Sequence, residues 1–448
     1  MFDDLKTFVP SEYCLTCRGC CVFIDQPGAD VWHPRAEAEE LSAIGEAAGC
    51  ATGEFATGSR LKTEAASRGR QCVFINPPDH RCRIYPARPF ECRLYPFLLS
   101  SESDGIKLYA HLSCPFIQDQ LDTKEGADFA AVLRAFFSRP DVRRYLSEGR
   151  ARFADYSPFS NELRLLFDAR RTFASGLLAR REIFERVVGS GRRVLSARAF
   201  ANLFLWQEMF DFDFEDINGA LCVFARQPVG SFLYLPPLGG ALTPETINRA
   251  FVRMDEDNRG GSLGRIENLS LEDAGHVDTS RYLLTERGQE YVYRREDIVG
   301  LNGQAYKSQR HDINLLHRTA RPEYRRYAPS DRAGCSRLFE RWLDRKLGPP
   351  DDDKNDLSRQ MLFDARGAHA CLWDFADELG LEGRVVEVDG RIAAYTFGCR
   401  LDEETFCVLA EIADPDVAGL AAFIFHAFAD DEAVRPYRFL NAMDDYGL

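Results

Sequence analysis

Four thiols stand within eight positions in CLTCRGCC, residues 14–21 of a 448-residue chain. Cysteines this crowded serve a disulfide framework, a metal site or a reactive redox centre. Nine of the chain's fourteen cysteines occur by residue 114. On a helix, Cys14, Cys17 and Cys21 would fall within about 60° of arc, and Cys20 would point about 100° away from Cys21. A second group follows in CRIYPARPFECRLYPF (82–97), where Cys-Arg-x-Tyr-Pro repeats at a ten-residue interval, and Cys72 precedes the first copy by ten. Pro86, Pro89 and Pro96 exclude a continuous helix there and suit rigid turns that present thiols at fixed angles. Arg83, Arg88 and Arg93 would offset the charge of clustered thiolates. Cys114, before Pro115, adds one more thiol from a loop. Cys50 lies outside the pattern. Cys222, Cys335, Cys371, Cys399 and Cys407 are scattered among apolar residues and read as small buried hydrophobes.

Cys14, Cys17, Cys20, Cys21, Cys72, Cys82, Cys92 and Cys114 are enough for two four-thiolate sites or one larger cluster. Zinc accepts four thiolates in a closed tetrahedral site. C-x2-C-x2-C also resembles part of the bacterial ferredoxin run, which binds an iron–sulfur cluster, although Cys21 comes too early for that pattern's fourth ligand. Zinc and iron–sulfur both stay open. CLTCRGCC, CVF at 72–74, CRIYPARPFECRLYPF and Cys114-Pro115 together resemble the cysteine-cluster family of zinc- or iron-chelating domains. The resemblance implies a metal over about residues 10–120, and names no reaction.

Composition limits the rest. With 45% apolar and 28% charged residues, the chain buries a sizeable core without covalent staples. A net charge of −14 argues against a generally basic nucleic-acid-binding surface. MFDDLKTFVPSEY has neither the basic nor the apolar region of a secretory signal. No run of 18 uncharged apolar residues exists, so no integral membrane segment is expected. The expected location is cytoplasmic, where thiols stay reduced.

The elements that must position further chemistry come later in the chain. Residues 35–49 read as a helix ending at a glycine. Residues 126–150 and 160–188 carry apolar residues at helical spacing. SARAFANLFLWQEMF (196–210) reads as a helix, ALCVFARQ (220–227) and SFLYLPPL (231–238) as strands, and Thr243-Pro244-Glu245 starts another helix. Residues 303–318 predict a polar helix and 323–329 a strand. A further helix runs to about Lys346, capped by Ser330 or Asp331. GRVVEV (383–388), Asp389-Gly390 and RIAAYTFGC (391–399) form a hairpin around a favoured two-residue turn. ETFCVLAEI (404–412) is a third strand, Asp414-Pro415 starts a helix running to about Phe428, and RFLNAMDD (438–445) ends in strand and turn.

This order resembles the N-acetyltransferase fold. In that fold a glycine-bearing strand-to-helix junction holds the coenzyme A pyrophosphate. The matching place here is Asp416-Val417-Ala418-Gly419-Leu420-Ala421, with Asp414 beside it. Two carboxylates there would repel a pyrophosphate, so acyl-CoA is not the expected donor. FANLFLWQE (200–208), EYVYRREDIVGLNGQAYKSQRHDIN (290–314), VDGRIAAYTFG (388–398), LAEIADPDVAG (409–419) and NAMDDYG (441–447) resemble the family of the phosphatidylglycerol lysyltransferase C-terminal domain. That resemblance implies two tandem acetyltransferase-like halves and kinship with enzymes that use aminoacyl-tRNA. It also leads to the expectation that a basic strand following Asp445-Tyr446-Gly447 in the family is absent here.

The expected fold is therefore α+β. A cysteine-rich metal-binding domain (1–120) precedes a helical connector (121–190) and tandem GNAT-like α/β halves (191–300 and 301–448). Lys307, Arg310 and Asn314 match the family's basic motif. They share one helix face with His311, where they would hold aminoacyl-tRNA or another nucleotide-like donor. Glu411, in an otherwise apolar strand, is either a proton acceptor with a raised pKa or the partner of a core-facing arginine. Asn441 and Asp445 close the last strand, where this fold commonly places polar site residues. Tyr291 and Tyr293 share one side of a strand and read as packing. One reading is a transferase delivering an aminoacyl or acyl group to a protein or small-molecule acceptor. The other is a redox or protein-modifying metalloprotein whose acyltransferase-like part only binds a target. No G-x-S-x-G, H-E-x-x-H or Walker sequence supports a hydrolase, zincin or P-loop reading.

Overall fold

The computed structural model describes residues 5–444, leaving out 6, 18, 20, 24–28, 68, 103–104, 138, 140–141, 143–144, 147–152, 190–194, 208, 228–229, 241, 260, 262 and 348–355. Two expected site residues, Cys20 and Asp445, lie outside the described residues. The chain divides into two compact units, Met1–Ser175 and Gly176–Leu448.

The first unit carries short strands and several apolar cores, two of which include cysteines. Strands β1 (Val22–Phe23), β4 (Thr63–Ala66) and β5 (Gly69–Cys72) form one small sheet in the order β1-β5-β4. Two tiny hairpins accompany it, β2 (Ala56–Thr57) with β3 (Arg60–Leu61) and β6 (Ile75–Asn76) with β7 (Arg81–Cys82). The expected helix at 35–49 is Ala38–Ala48, closed by Gly49 at φ 66°, a left-handed position that suits glycine. A further sheet has the order β10-β9-β8, built from β8 (Phe97–Glu102), β9 (Gly105–His111) and β10 (Leu163–Asp168). Strand β10 corrects the expectation of helix throughout 160–188. Leu-Arg-Leu-Leu-Phe-Asp pairs with β9, and an irregularity between Leu165 and Phe167 breaks the two-residue alternation that would have marked it as a strand.

The second unit has two sheets. Strands β11 (Asp211–Ile217), β12 (Ala220–Gln227) and β13 (Gly230–Leu233) form an antiparallel meander. The helix Pro244–Asn258, capped by the Thr243 hydroxyl, buries Ile247, Ala250 and Met254. The larger sheet has the order β14-β19-β18-β17-β16-β15, from β14 (Val292–Arg294), β15 (Glu323–Arg326), β16 (Glu382–Val388), β17 (Arg391–Arg400), β18 (Thr405–Ala413) and β19 (Phe439–Asn441). All its pairings are antiparallel except β18 with β19. Asp389 and Gly390 both take positive φ, 53° and 73°, as a tight right-twisted hairpin requires.

Helices cover both faces of the six-stranded sheet. Helices α1 (Lys307–Thr319) and α2 (Leu420–Ala429) pack Leu316, Leu420 and Ile424 against Val386, Ala394 and Val388. On the opposite face Tyr395 meets His369 and Trp373, from the helix Asp356–Asp374. The expected helix start at Asp414-Pro415 is corrected, because α2 begins only at Leu420. Asp414 is instead occupied as an acceptor for the Asp416 N–H and as a partner of Arg341 and Arg391.

Candidate functional site

In the first unit the expected thiols fall into two neighbourhoods. Cys72 is buried in a core with Ile44, Phe55, Phe74 and Ile84, and Cys21 and Cys82 pack against that core. The Cys72 N–H donates to the Cys21 carbonyl at 2.9 Å across β1 and β5. Cys114 is buried in the other core with Val9, Ile117 and Phe97, and Cys14 packs against it. Cys14 and Cys17 ride on the helix Ser11–Cys17. The Tyr13 ring meets Phe116 edge-on, 5.1 Å between centroids, which brings that helix to the Cys114 turn.

Backbone donors act on several of these sulfurs. The backbone N–H of Phe74 lowers the Cys72 thiol, that of Ile84 lowers Cys82, and those of Ile117 and Phe116 lower Cys114. Burial still dominates. It pushes the Cys21 thiol up to about 12 and Cys72 up to about 11, and it raises Cys82, Cys92 and Cys114. Neighbouring thiols add to each effect: Cys72 and Cys82 act on Cys21, while Cys14 and Cys17 act on Cys114. Positive charge is close by, with Arg88 near Cys21 and Arg83 near Cys72. The carboxyl of Glu91, beside Cys92, is raised to about 7 by burial and accepts the Arg35 N–H at 2.7 Å. Sequence reasoning missed it, because nothing in Phe-Glu-Cys announces a buried carboxyl.

No disulfide joins two of the described cysteines. Among the described residues, no three Cys, His, Asp or Glu side chains are drawn together tightly enough to hold a metal ion as they stand. The donor set nonetheless fits a thiophilic metal. Thiols are soft donors, and a cation that neutralises them stabilises them as thiolates.

In the second unit, Glu411 lies in β18 opposite Thr396, which itself lies opposite Arg384 in β16. The three therefore form one row on the face covered by α2. Two residues before Glu411, the register slips and Leu409 is left without a partner in β17. Such a bulge bends a strand and re-aims its side chains. The carboxyl oxygen Oε2 of Glu411 is enclosed and has no hydrogen-bond partner among the described residues, and burial raises the group to about 8. The alternative of an arginine partner is overturned. The core-facing Arg384 gives Nε and Nη2 to the two oxygens of Asp431, at 2.7 and 2.6 Å.

The other expected residues separate. Asn441 is fully buried. Its Nδ2 donates to Glu290 at 2.5 Å, and its Oδ1 accepts the Met443 N–H at 2.8 Å. Glu290 also accepts from the Ser196 N–H and hydroxyl. Asn441 is thus a clasp within the fold, with both ends of its amide engaged. Arg310 is likewise occupied, donating to the Leu301 and Gly303 carbonyls. Lys307 and Asn314 are exposed on α1, as is His311. Tyr293 packs edge-on to Phe425 at 5.8 Å. Asp416 pairs with Arg345 at 2.5 Å, so the two aspartates before α2 are neutralised, which sequence alone did not reveal. Gly419 holds φ 82°, and a Cβ there would run into the Asp312 carbonyl of α1. This glycine serves helix packing.

Comparison with known proteins bears on both units. Residues 191–445, more than half of the chain, match the family model described as "Phosphatidylglycerol lysyltransferase, C-terminal". The chain belongs to that family. Residues 13–115 match a second model, CxxCxxCC, described as "Putative zinc- or iron-chelating domain", so this lysyltransferase-C-terminal-family chain is a fusion of the two. The comparison with curated proteins finds no match. Among solved structures, a conserved protein of unknown function from Bacteroides thetaiotaomicron is 25% identical. It covers 60% of this chain and 89% of its own, with TM-score 0.49. The C-terminal domain of a "putative lysylphosphatidylglycerol synthetase" from Agrobacterium fabrum is 12% identical, covering 60% and 79% with TM-score 0.41. L-PGS from Bacillus licheniformis is 15% identical, covering 60% and 80% with TM-score 0.42. Among the described residues no helix is long and apolar enough to cross a membrane.

Proposed function

We propose that the second unit is a tandem GNAT-like transferase. It passes an aminoacyl or acyl group from a nucleotide-like donor, such as aminoacyl-tRNA, to an amine or hydroxyl of a protein or small-molecule acceptor. Glu411 carries this reading. A half-buried carboxyl whose Oε2 is enclosed and has no hydrogen-bond partner among the described residues, beside a bulge in the central strand, is unfavourable for stability and suited to moving a proton. A group poised near pH 8 is within reach of neutral operation. As the acceptor attacks the donor's ester carbonyl, Glu411 takes the acceptor's proton and returns it to the ribose oxygen as the acyl C–O bond breaks and the ribose hydroxyl leaves. Lys307 and Asn314 hold the donor's phosphates on the exposed face of α1.

A donor other than acyl-CoA is supported by Gly419. At the junction where the acetyltransferase fold would hold a pyrophosphate, Gly419 is packed against the Asp312 carbonyl of α1. The thiols of the first unit hold zinc or an iron–sulfur cluster, which would supply a rigid fold or a redox-sensitive element for recognising the substrate.

The test is transfer of a labelled aminoacyl group from charged tRNA by the full chain, compared with Glu411→Gln. Loss of transfer with metal content retained supports the reading. Full transfer by the variant would remove Glu411 from the reaction. Loss of activity only upon chelation or oxidation of the metal would favour the reading in which chemistry resides in the first unit.

A further inference from the structure

We infer that the second unit carries a binding site for a small amphipathic carboxylate, in a cavity beside the β11–β13 meander. The site is independent of transfer at Glu411.

The cavity follows from how the chain returns past the meander. The helix Pro244–Asn258 presents Ile247 and Phe251, four apart and on one face. Residues 265–267 then run beside the end of β13. The Leu233 N–H donates to the Arg265 carbonyl and the Glu267 N–H to the Leu233 carbonyl, both at 2.9 Å, which sets Ile266 next to the meander. From Val277 to Tyr291 the chain is neither helix nor strand. Tyr282 pins that segment to the helix. Its ring stacks on Phe251 at 4.9 Å with the planes 18° apart, and its hydroxyl donates to Asn248. The three segments leave a cavity of about 270 Å³ between them, lined by Ile247, Phe251, Ile266, Val277 and Leu284 and by two arginines, Arg265 and Arg281.

Size and apolar walls limit the occupant. An apolar cavity of about 150 Å³ is large enough to bind benzene. By that scale this one takes a body of about ten heavy atoms, too little for the two chains of a membrane lipid. Apolar surface continues outward, with Leu283 92% and Leu284 42% exposed. Such surface marks a ligand site where a polar group converges on it.

The polar group here is a guanidinium. Arg265 is already engaged: its Nε donates to Glu267 at 2.6 Å, and its guanidinium lies 3.9 Å over the Phe232 ring. Arg281 is different. Among the described residues its side chain makes no ion pair or hydrogen bond, only an approach of 5.8 Å to the Tyr282 ring. Asp278, the carboxylate beside it, accepts instead from the N–H and hydroxyl of Ser280, at 3.0 and 2.7 Å. Arg198, Arg226 and Arg253, in the same stretch of chain, all hold carboxylates. A guanidinium receives a carboxylate through two parallel N–H bonds. One such group balances one negative charge, whereas a phosphate monoester carries about 1.5 to 2. The occupant that fits is an apolar body ending in a single carboxylate.

The test titrates the full chain with octanoate by isothermal calorimetry, with 1-octanol as the uncharged control. One octanoate per chain is expected, bound about tenfold more tightly than octanol, as a charge-assisted hydrogen bond at the rim supplies. Arg281→Gln should remove that preference and leave octanol binding unchanged. Gly264→Leu fills the cavity from a wall where a Cβ meets only Met254 and Phe251 at 3.7 Å and Asn258 at 3.8 Å, and it should abolish binding of both probes. Near-ultraviolet circular dichroism reports whether that variant is folded, and Val277→Phe is the second filler if it is not. No saturable octanoate binding by the wild-type chain, several equal sites per chain, or octanoate and octanol bound alike overturns the proposal. So does an Arg281→Gln chain that keeps the preference, or a folded filler variant that binds octanoate in full.

Discussion

The two units bury ionisable groups in opposite ways. In the first, several thiols act on one another's ionisation, and backbone N–H groups lower Cys72, Cys82 and Cys114 against the larger effect of burial. In the second, the Glu411 carboxyl has one oxygen, Oε2, that no described residue satisfies. Like groups gathered with donors around them anticipate a cation that will neutralise all of them at once. A single carboxyl held without a partner anticipates a proton. The same term, burial, raises both kinds of group, yet it points to a resident metal in one unit and to a transient proton in the other.

The largest expected effect tests the lone carboxyl. Glu411→Gln keeps the volume and removes the charge, and it should lower transfer by about 10²–10⁴-fold, the range for a proton-transferring group. Stability should not fall, since a buried ionisable group without a partner contributes none. The pH dependence follows from the raised value. Between the ordinary 4.5 and about 8, the unfolded chain ionises Glu411 and the folded chain keeps its proton. Folding stability from this group is therefore greatest at low pH. It falls as pH rises through that window, by at most about 1.4 kcal/mol per unit. Denaturant titrations of wild type and Glu411→Gln from pH 5 to 8 should diverge accordingly, and parallel curves would mean that Glu411 has a partner in solution.

Asp431→Asn should expose the contrast within one sheet. Arg384 and Asp431 are 6% and 8% exposed and joined by two short hydrogen bonds. Removing one charge leaves the other buried, which costs about 3–5 kcal/mol. Chemical denaturation should register that loss, while transfer per folded molecule should hold. If instead Asp431→Asn stops transfer without lowering stability, the proton route runs through this pair and the assignment to Glu411 fails.

Much of this fold was legible. The Asp389-Gly390 hairpin, the Thr243 cap and strand 220–227 stand where their local chemistry places them. Local chemistry misled where side chains were recruited from a distance. Asp414-Pro415 has the form of a helix start, but Arg341 and Arg391 take the aspartate and the helix waits until Leu420. The β8–β9 hairpin went unread, although LLSSESDGIKLYAHL carries Asp104-Gly105; Gly105 is already paired with Glu102, so the dipeptide does not sit centrally between the strands as Asp389-Gly390 does. At the candidate sites, residue types were readable and partners were not. Glu411, Asn441 and Arg310 looked equally able to act. Only the folded chain distinguishes an unsatisfied carboxyl from an amide clasped by Glu290 and a guanidinium tied to two carbonyls.

Gly419→Ala measures a smaller effect. The left-handed backbone costs an alanine about 1–2 kcal/mol, and contact with the Asp312 carbonyl adds to it. A melting temperature lowered by several degrees, with α1 displaced, is the expected result. An unchanged melting temperature would mean that the glycine is not packed, and the argument against a pyrophosphate there would lose its support.

The smallest effect separates two neighbours on α1. Arg310 and Lys307 both match the basic motif, but one is occupied and the other is exposed. Arg310→Ala deprives the Leu301 and Gly303 carbonyls of a charged donor and should cost about 1.5–3 kcal/mol of stability. Lys307→Ala touches nothing that holds the fold. An exposed lysine facing a phosphate contributes through screened charge, so its loss should raise the KM for the donor by a few-fold at most, leaving kcat and stability alone. That rise should shrink as salt is added, because screening removes what the lysine supplied. A donor KM indifferent to both Lys307→Ala and salt would take the donor off this face of α1. Glu411 would then have to be reached from another edge of the sheet.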